Sequence, residues 1–293
     1  MSQCRKIVPN EATEKAELLA SLDWVSTLWN ATIKAMIVGP MVGTALHFVD
    51  KCIINTHVSN GKPVNFKTVI TTNPLGGYGA GMAHSISKTF CLFLLKPVFE
   101  KEFAQQYPDL RIGKQLASGL AGLASSYLTN YTSVRKTWGH LNTPKESIKN
   151  IKFKDQLFKG AHATALRDGV FFMTYFSLFD WLQTKTNHAA LDGAVAGLLA
   201  SLVANPLAVI ATLQKETKEP ITPSICQTSC TLFNKAGVKG FYKNVLSTSA
   251  LRMTIQGFMI GYSIELADKI MKNTDVLADE QNEAQTLSSR KTP

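Results

Sequence analysis

Arg167 and Asp168 stand side by side in LRDGVFFMTYF, and Arg252 stands in LRMTIQGFMIGY, each within a mostly apolar stretch. If these stretches cross a membrane, an ionisable group at that depth costs about 2–3 kcal/mol unless it faces water or a partner, so function is its default explanation. A guanidinium grips phosphate or carboxylate through a bidentate fork. The structural alternative is an arginine–acid pair that holds helices together, Arg167 with the neighbouring carboxylate for instance. His47 and Asp50, one turn apart in ALHFVDK, carry the same two readings, a cavity lining or buried packing. No HExxH, P-loop, GxSxG or dinucleotide glycine run is present, so no enzyme signature competes and no cofactor is expected. Cys226 and Cys230 are four apart without any CxxC, which reads as neighbouring free thiols and not as a metal site.

These side chains need long helices to position them. The chain has 293 residues, 45% of them hydrophobic, and a mean hydropathy of +0.02, between soluble and strongly membrane-embedded. No run of eighteen clean apolar residues occurs. The candidate spans are glycine-rich and broken by single polar residues, as expected of helices that show one side to lipid and another to a watered cavity. Six spans are expected at roughly 29–57, 81–103, 112–138, 159–184, 190–214 and 245–271. Polar loops at 58–80, 139–158 and 215–244 join them in pairs, and an even number of spans puts both tails on one side. The net charge of +10 concentrates in the loops: Lys145, Lys149, Lys152, Lys154 and Lys159 in one, Lys215, Lys218, Lys235, Lys239 and Lys243 in another. Such loops mark membrane orientation and contact with anionic lipid. With no helix-turn-helix, zinc spacing or aromatic RNA platform beside them, no nucleic-acid partner is expected.

The spans repeat. A glycine precedes a fixed turn position by nine residues three times: Gly43 to Cys52, Gly122 to Tyr131, Gly197 to Pro206. A polar position precedes an acid by thirteen three times: Ser87 to Glu100, Arg167 to Asp180, Arg252 to Glu265. Asn130-Tyr131 matches Asn205-Pro206, and Phe158-Lys159-Gly160 matches Tyr242-Lys243-Asn244. A period of this length is the mark of a repeat architecture. Small residues four apart, such as Gly39/Gly43, Gly193/Gly197 and Gly257/Gly261, suit close helix packing in lipid.

This pattern, clearest in residues 193–269, resembles the mitochondrial carrier family. The resemblance implies an all-α membrane protein with six transmembrane helices, arranged as three pseudo-symmetric two-helix repeats around a central cavity. The expected parts are an N-terminal tail at 1–28, repeats at 29–103, 104–185 and 186–271, and a disordered C-terminal tail at 272–293. It also implies a monomer in the mitochondrial inner membrane, with cardiolipin near Lys159 and Lys243. Family members contact substrate at one position on each even helix, here Ser87/Lys88, Arg167/Asp168 and Arg252/Met253. With Lys136 and His47 added, these form the expected substrate-binding set.

The family's gates are altered. Its odd helices carry Pro-x-acid-x-x-base, whose charges pair in a ring. Here the proline positions hold Cys52, Tyr131 and Pro206, the acid positions Ile54, Ser133 and Ala208, and the basic positions His57, Lys136 and Ala211. That ring cannot form in register. On the even helices the gating acids persist as Glu100, Asp180 and Glu265, but the bases are replaced by Phe103, Gln183 and Asp268. A degraded ring biases a two-state gate, so net one-way transport is expected in place of strict exchange.

For the cargo, Arg167-Asp168 resembles amino-acid carriers, whereas nucleotide carriers of the family usually place a glycine and an aliphatic residue there. Lys88, Lys136, Arg167 and Arg252 make a basic cavity that suits phosphates. The chain's departures and its acidic, Ser/Thr-containing tail are also similar to carrier-like proteins that intracellular bacteria deliver into host cells, which would imply ATP-type cargo and host mitochondria. The expectation is an anionic metabolite such as ATP, with an amino-acid carrier or a transport-dead membrane scaffold as alternatives.

Overall fold

Leu191, Val195, Leu199 and Val203 fall one per turn on the fifth span, and all four are exposed. Ala196, Ala200 and Ala204, each one residue further on and so about 100° round the helix, are buried. A helix whose large apolar residues face outward and whose small ones face inward is turned toward lipid. The computed structural model describes residues 11–58, 71, 73–107, 112–141, 157–186, 188–216, 223–242, 251–266 and 269–270, and all regular elements among them are helices. They are α1 (Glu11–Val58), α2 (Tyr78–Gln106), α3 (Gly113–Leu128), α4 (Asn130–His140), α5 (Ala161–Thr186), α6 (Ala189–Glu216), α7 (Ile225–Tyr242) and α8 (251–266). Spans one, two, four, five and six are α1, α2, α5, α6 and α8; α3 and α4 together make the third.

Within each repeat the odd helix packs on the even one through glycine. A Cβ on Gly122 of α3 would lie 2.7 Å from the Asp168 carbonyl of α5, and one on Gly43 of α1 would lie 2.7 Å from Met82 Sδ of α2. Gly197 of α6 faces Met253 and Gly257 of α8 in the same way. The three glycines that mark the sequence repeat are therefore three points of close helix contact, against backbone at Gly122 and Gly197 and against side chains at Gly43. The shared interior between the pairs is aromatic. Tyr175 stacks between Phe171 and Phe179, with ring centroids 5.8 and 5.7 Å away, and its hydroxyl donates to Gly257 O at 3.3 Å.

A second threefold device lies one residue before each turn position. Lys51 donates to Asn73 O, Asn130 to Leu157 O at 2.6 Å, and Asn205 to Phe241 O. In each repeat a buried side chain in the second half of the odd span ties down a carbonyl ahead of the even helix. The first repeat thus uses a lysine where the others use asparagine.

Span three breaks at Thr129 (φ −104°, ψ 9°), although it has no proline. Ser125 Oγ bonds Gly122 O at 2.9 Å, Thr129 Oγ1 bonds Ser125 O at 2.7 Å, and Thr132 Oγ1 bonds Thr129 O at 2.7 Å. Hydroxyls that bond back to the preceding turn compete with the helix ladder and bend it.

Two segments depart from expectation. Helix α1 begins at Glu11, inside the stretch expected to be a tail. Its 48 residues span about 72 Å at 1.5 Å per residue, more than a bilayer's hydrocarbon core needs. The loop expected at 215–244 holds α7, which has a left-handed residue at Gly237 (φ 58°). Residues 272–293 lie outside the described residues. Two helical stretches, Trp24–Ile54 and Ala189–Glu216, are apolar enough by themselves to cross a membrane.

Candidate functional site

The helices surround a cavity of about 1400 Å³, its open mouth included. Its lining contains five cations, Lys88, Lys136, Arg167, Lys215 and Arg252, and two carboxylates, Asp50 and Asp168. Val38, Val42, Leu46, Leu92, Phe171 and Phe172 supply an apolar wall beside them.

Each carboxylate gathers several helices. Asp168 Oδ1 accepts from Arg167 Nε at 2.7 Å and Nη2 at 2.6 Å. Its Oδ2 accepts from Lys88 Nζ at 2.5 Å and from the Ser126 hydroxyl. Lys88 also sits 5.5 Å from the centroid of the Phe172 ring. Asp50 binds Arg252 Nε through Oδ1 and Lys136 Nζ through Oδ2. The Arg252 Nη1 end reaches Gln256 Oε1 at 2.9 Å and Met253 Sδ at 3.1 Å. Lys215 Nζ, 82 residues from its partner in sequence, donates to Ser133 Oγ at 2.7 Å, and the Trp138 indole N–H reaches the Lys215 carbonyl at 3.4 Å.

Of the residues expected to bind substrate, Lys88, Lys136, Arg167, Asp168 and Arg252 line this one cavity. Ser87 does not, and Ser85 and Thr89 line it instead. His47 also lies off the lining. Its Nε2 meets Pro74 O at 2.9 Å, and its ring packs 5.1 Å from those of Tyr78 and His140. Two lining residues, Lys215 and His84, and the ion pairs of a third, Asp50, escape the sequence reading. Lys215 sits one turn beyond Ala211, and that i+4 spacing is the signal that could have found it. His84, whose Nδ1 meets Thr132 Oγ1 at 3.0 Å, and Asp50's partnership with two distant cations carry no sequence signal of their own.

The two ends of the cavity differ. At the loop end the in-register ring is absent, and out-of-register contacts replace part of it. Asp50 with Lys136 joins spans one and three, while Ser133 with Lys215 joins spans three and five. The His57 side chain and Asp268 lie outside the described residues. At the tail end Glu100 pairs with Lys96 at 3.2 Å and Glu265 with Lys269 at 2.7 Å, each within its own helix. Asp180 is exposed there. These three acids make no ion pair between helices among the described residues. Lys159, expected near a lipid headgroup, is buried in the turn before α5, and Lys243 lies outside the described residues.

No family model matches the chain. It is 26% identical over 278 residues to a human protein named mitochondrial glycine transporter, an alignment covering 81% of this chain and 90% of that one. The mouse protein of the same name is 27% identical over 280 residues, covering 81% and 84%. Mitochondrial substrate carrier family protein X of Dictyostelium discoideum is 26% identical over 188 residues, covering 57% and 62%.

Proposed function

We propose that this chain is a divergent member of the mitochondrial carrier family and a membrane transporter of a metabolite, and that its cargo is an anion bearing phosphate, such as ATP, carried across the mitochondrial inner membrane by alternating access. The observation that carries this reading is the charge balance of the cavity. Five cations face two carboxylates, and both carboxylates are already engaged, Asp168 by Lys88 and Arg167, Asp50 by Lys136 and Arg252. A polyanion meets cations it can take over one by one, and Arg167 and Arg252 offer it planar forks. The apolar wall that includes Phe171 and Phe172 suits an aromatic base beside those phosphates.

A second reading, a small amino acid such as glycine, draws on the names of the relatives and on the adjacent Arg167 and Asp168. Glycine would need a carboxylate for its ammonium, and Asp168 would have to give up one of its three side-chain partners to provide it. Delivery to a host mitochondrion by an intracellular bacterium remains tied to the composition of the tail at 272–293.

Uptake of labelled ATP and labelled glycine into proteoliposomes, for wild type and Arg167→Ala, separates the two. Saturable ATP uptake that falls at least about tenfold in the variant, the loss of one charged contact, is the expected result. Glycine uptake without ATP uptake would replace this reading with the amino-acid one. Folded protein that moves neither would favour a membrane scaffold.

A further inference from the structure

We propose that Asp50 is a latch that substrate displaces: its carboxylate holds Lys136 of α4 and Arg252 of α8 against α1, and an anion that takes Arg252 undoes the knot. The inference rests on the transport reading above, though not on any one cargo.

Asp50 is 5% exposed, and its two oxygens are divided between the two cations, Oδ1 to Arg252 Nε and Oδ2 to Lys136 Nζ. One side chain therefore joins spans one, three and six, a helix from each repeat. Asp168 does the complementary work, joining α5 to α2 through Lys88 and to α3 through Ser126. The ring implied by the family pairs odd helices only. Asp50 sits four residues before the acid position held by Ile54, one turn deeper in the cavity, and from there it reaches an even helix.

Arg252 lines the cavity, and its Nε edge faces Asp50 while Nη1 faces Gln256. An anion approaching that edge as a fork acceptor meets an occupied donor and must replace the Asp50 carboxylate. Replacement by another anion leaves Arg252 paired. A neutral ligand would leave it without a counter-charge, which a largely buried guanidinium resists. Once Arg252 leaves, Asp50 retains Lys136 alone, and the α1–α4–α8 knot becomes a single pair at the loop end. Binding and opening thus use the same guanidinium.

Cys52, two residues along α1 and 7% exposed, is a native reporter of this end. With Cys4, Cys91, Cys226 and Cys230 replaced by serine, maleimide labelling of Cys52 would be followed in the purified full chain, with and without ATP, inorganic phosphate or glycine. Without ligand, Asp50→Asn should label about tenfold faster than its parent, the effect of one tenfold shift in the closed-to-open equilibrium, and Asp50→Glu should stay close to the parent. ATP should accelerate labelling of the parent and add little in Asp50→Asn. Glycine as the accelerant would overturn the cargo reading and leave the latch standing. Equal ligand-free labelling of parent and Asp50→Asn, both eluting as folded protein, would overturn the latch whatever the cargo. If Asp50→Asn does not fold, Arg252→Gln, which cuts one arm only, replaces it: labelling faster than the parent supports the latch, and labelling at the parent's rate overturns it.

Discussion

Asp168 accepts from Arg167, Lys88 and Ser126, and that crowding sets an order among substitutions. Asp168→Ala removes the counter-charge of two largely buried cations at once, and breaking a buried pair from one side costs about 3–5 kcal/mol. Lys88→Met leaves Asp168 still bonded to Arg167 and Ser126, so it should cost less, about 1.5–3 kcal/mol for one lost charged hydrogen bond. Thermal unfolding in detergent, with Asp168→Ala melting below Lys88→Met, is the expected order; equal melting would mean the carboxylate is not the hub. Arg167 and Arg252 were legible in the sequence because a charge within an apolar stretch needs a reason. Lys215 was not legible, because a lysine in the last turn of a helix is ordinary until its burial is seen. Its environment makes Lys215→Met a test of the cavity's charge. Ser133 is the side chain its ammonium bonds, so the substitution should raise the KM for an anionic cargo several-fold, about 1 kcal/mol of lost attraction at short range, with little effect on folding yield.

At the level of elements, the repeat was legible through its glycines, and the structure shows why. Gly43, Gly122 and Gly197 are the points where a side chain would strike the partner helix. What the sequence hid is that different residues do one job. Lys51, Asn130 and Asn205 all tie down the carbonyl ahead of the next even helix, and no pattern search equates lysine with asparagine. The bend in span three was hidden for a similar reason: the family's kink is read from proline, and here Ser125, Thr129 and Thr132 supply it through backbone bonds. Since Asn130 and Asn205 belong to separate repeats, Asn130→Ala and Asn205→Ala should each cost about 1 kcal/mol and add in the double variant. A double-variant melting shift well short of the sum would show that the two ties are coupled.

For the whole molecule, the two ends of the cavity are held by different means, and this bears on how transport is coupled. In-register rings would give each end several interhelical charge pairs. Here the loop end has one carboxylate shared between Lys136 and Arg252 plus the bond between Ser133 and Lys215, while the tail-end acids Glu100 and Glu265 pair within their own helices. Strict exchange requires that the empty carrier not change state, so the unliganded barrier must exceed the liganded one by a wide margin. A barrier raised by about 2.7 kcal/mol slows the empty return about a hundredfold, and a full ring at either end is the obvious source of such a difference. With one shared carboxylate and one neutral-acceptor bond in place of full rings among the described residues, the empty return should be comparatively fast. Uptake into proteoliposomes without internal substrate should then lie within about tenfold of uptake with it, a barrier difference of no more than about 1.4 kcal/mol. An absolute requirement for internal counter-substrate would mean that the Asp50 knot alone holds the empty carrier as firmly as a complete ring, and in that case Asp50→Asn should convert exchange into net flow.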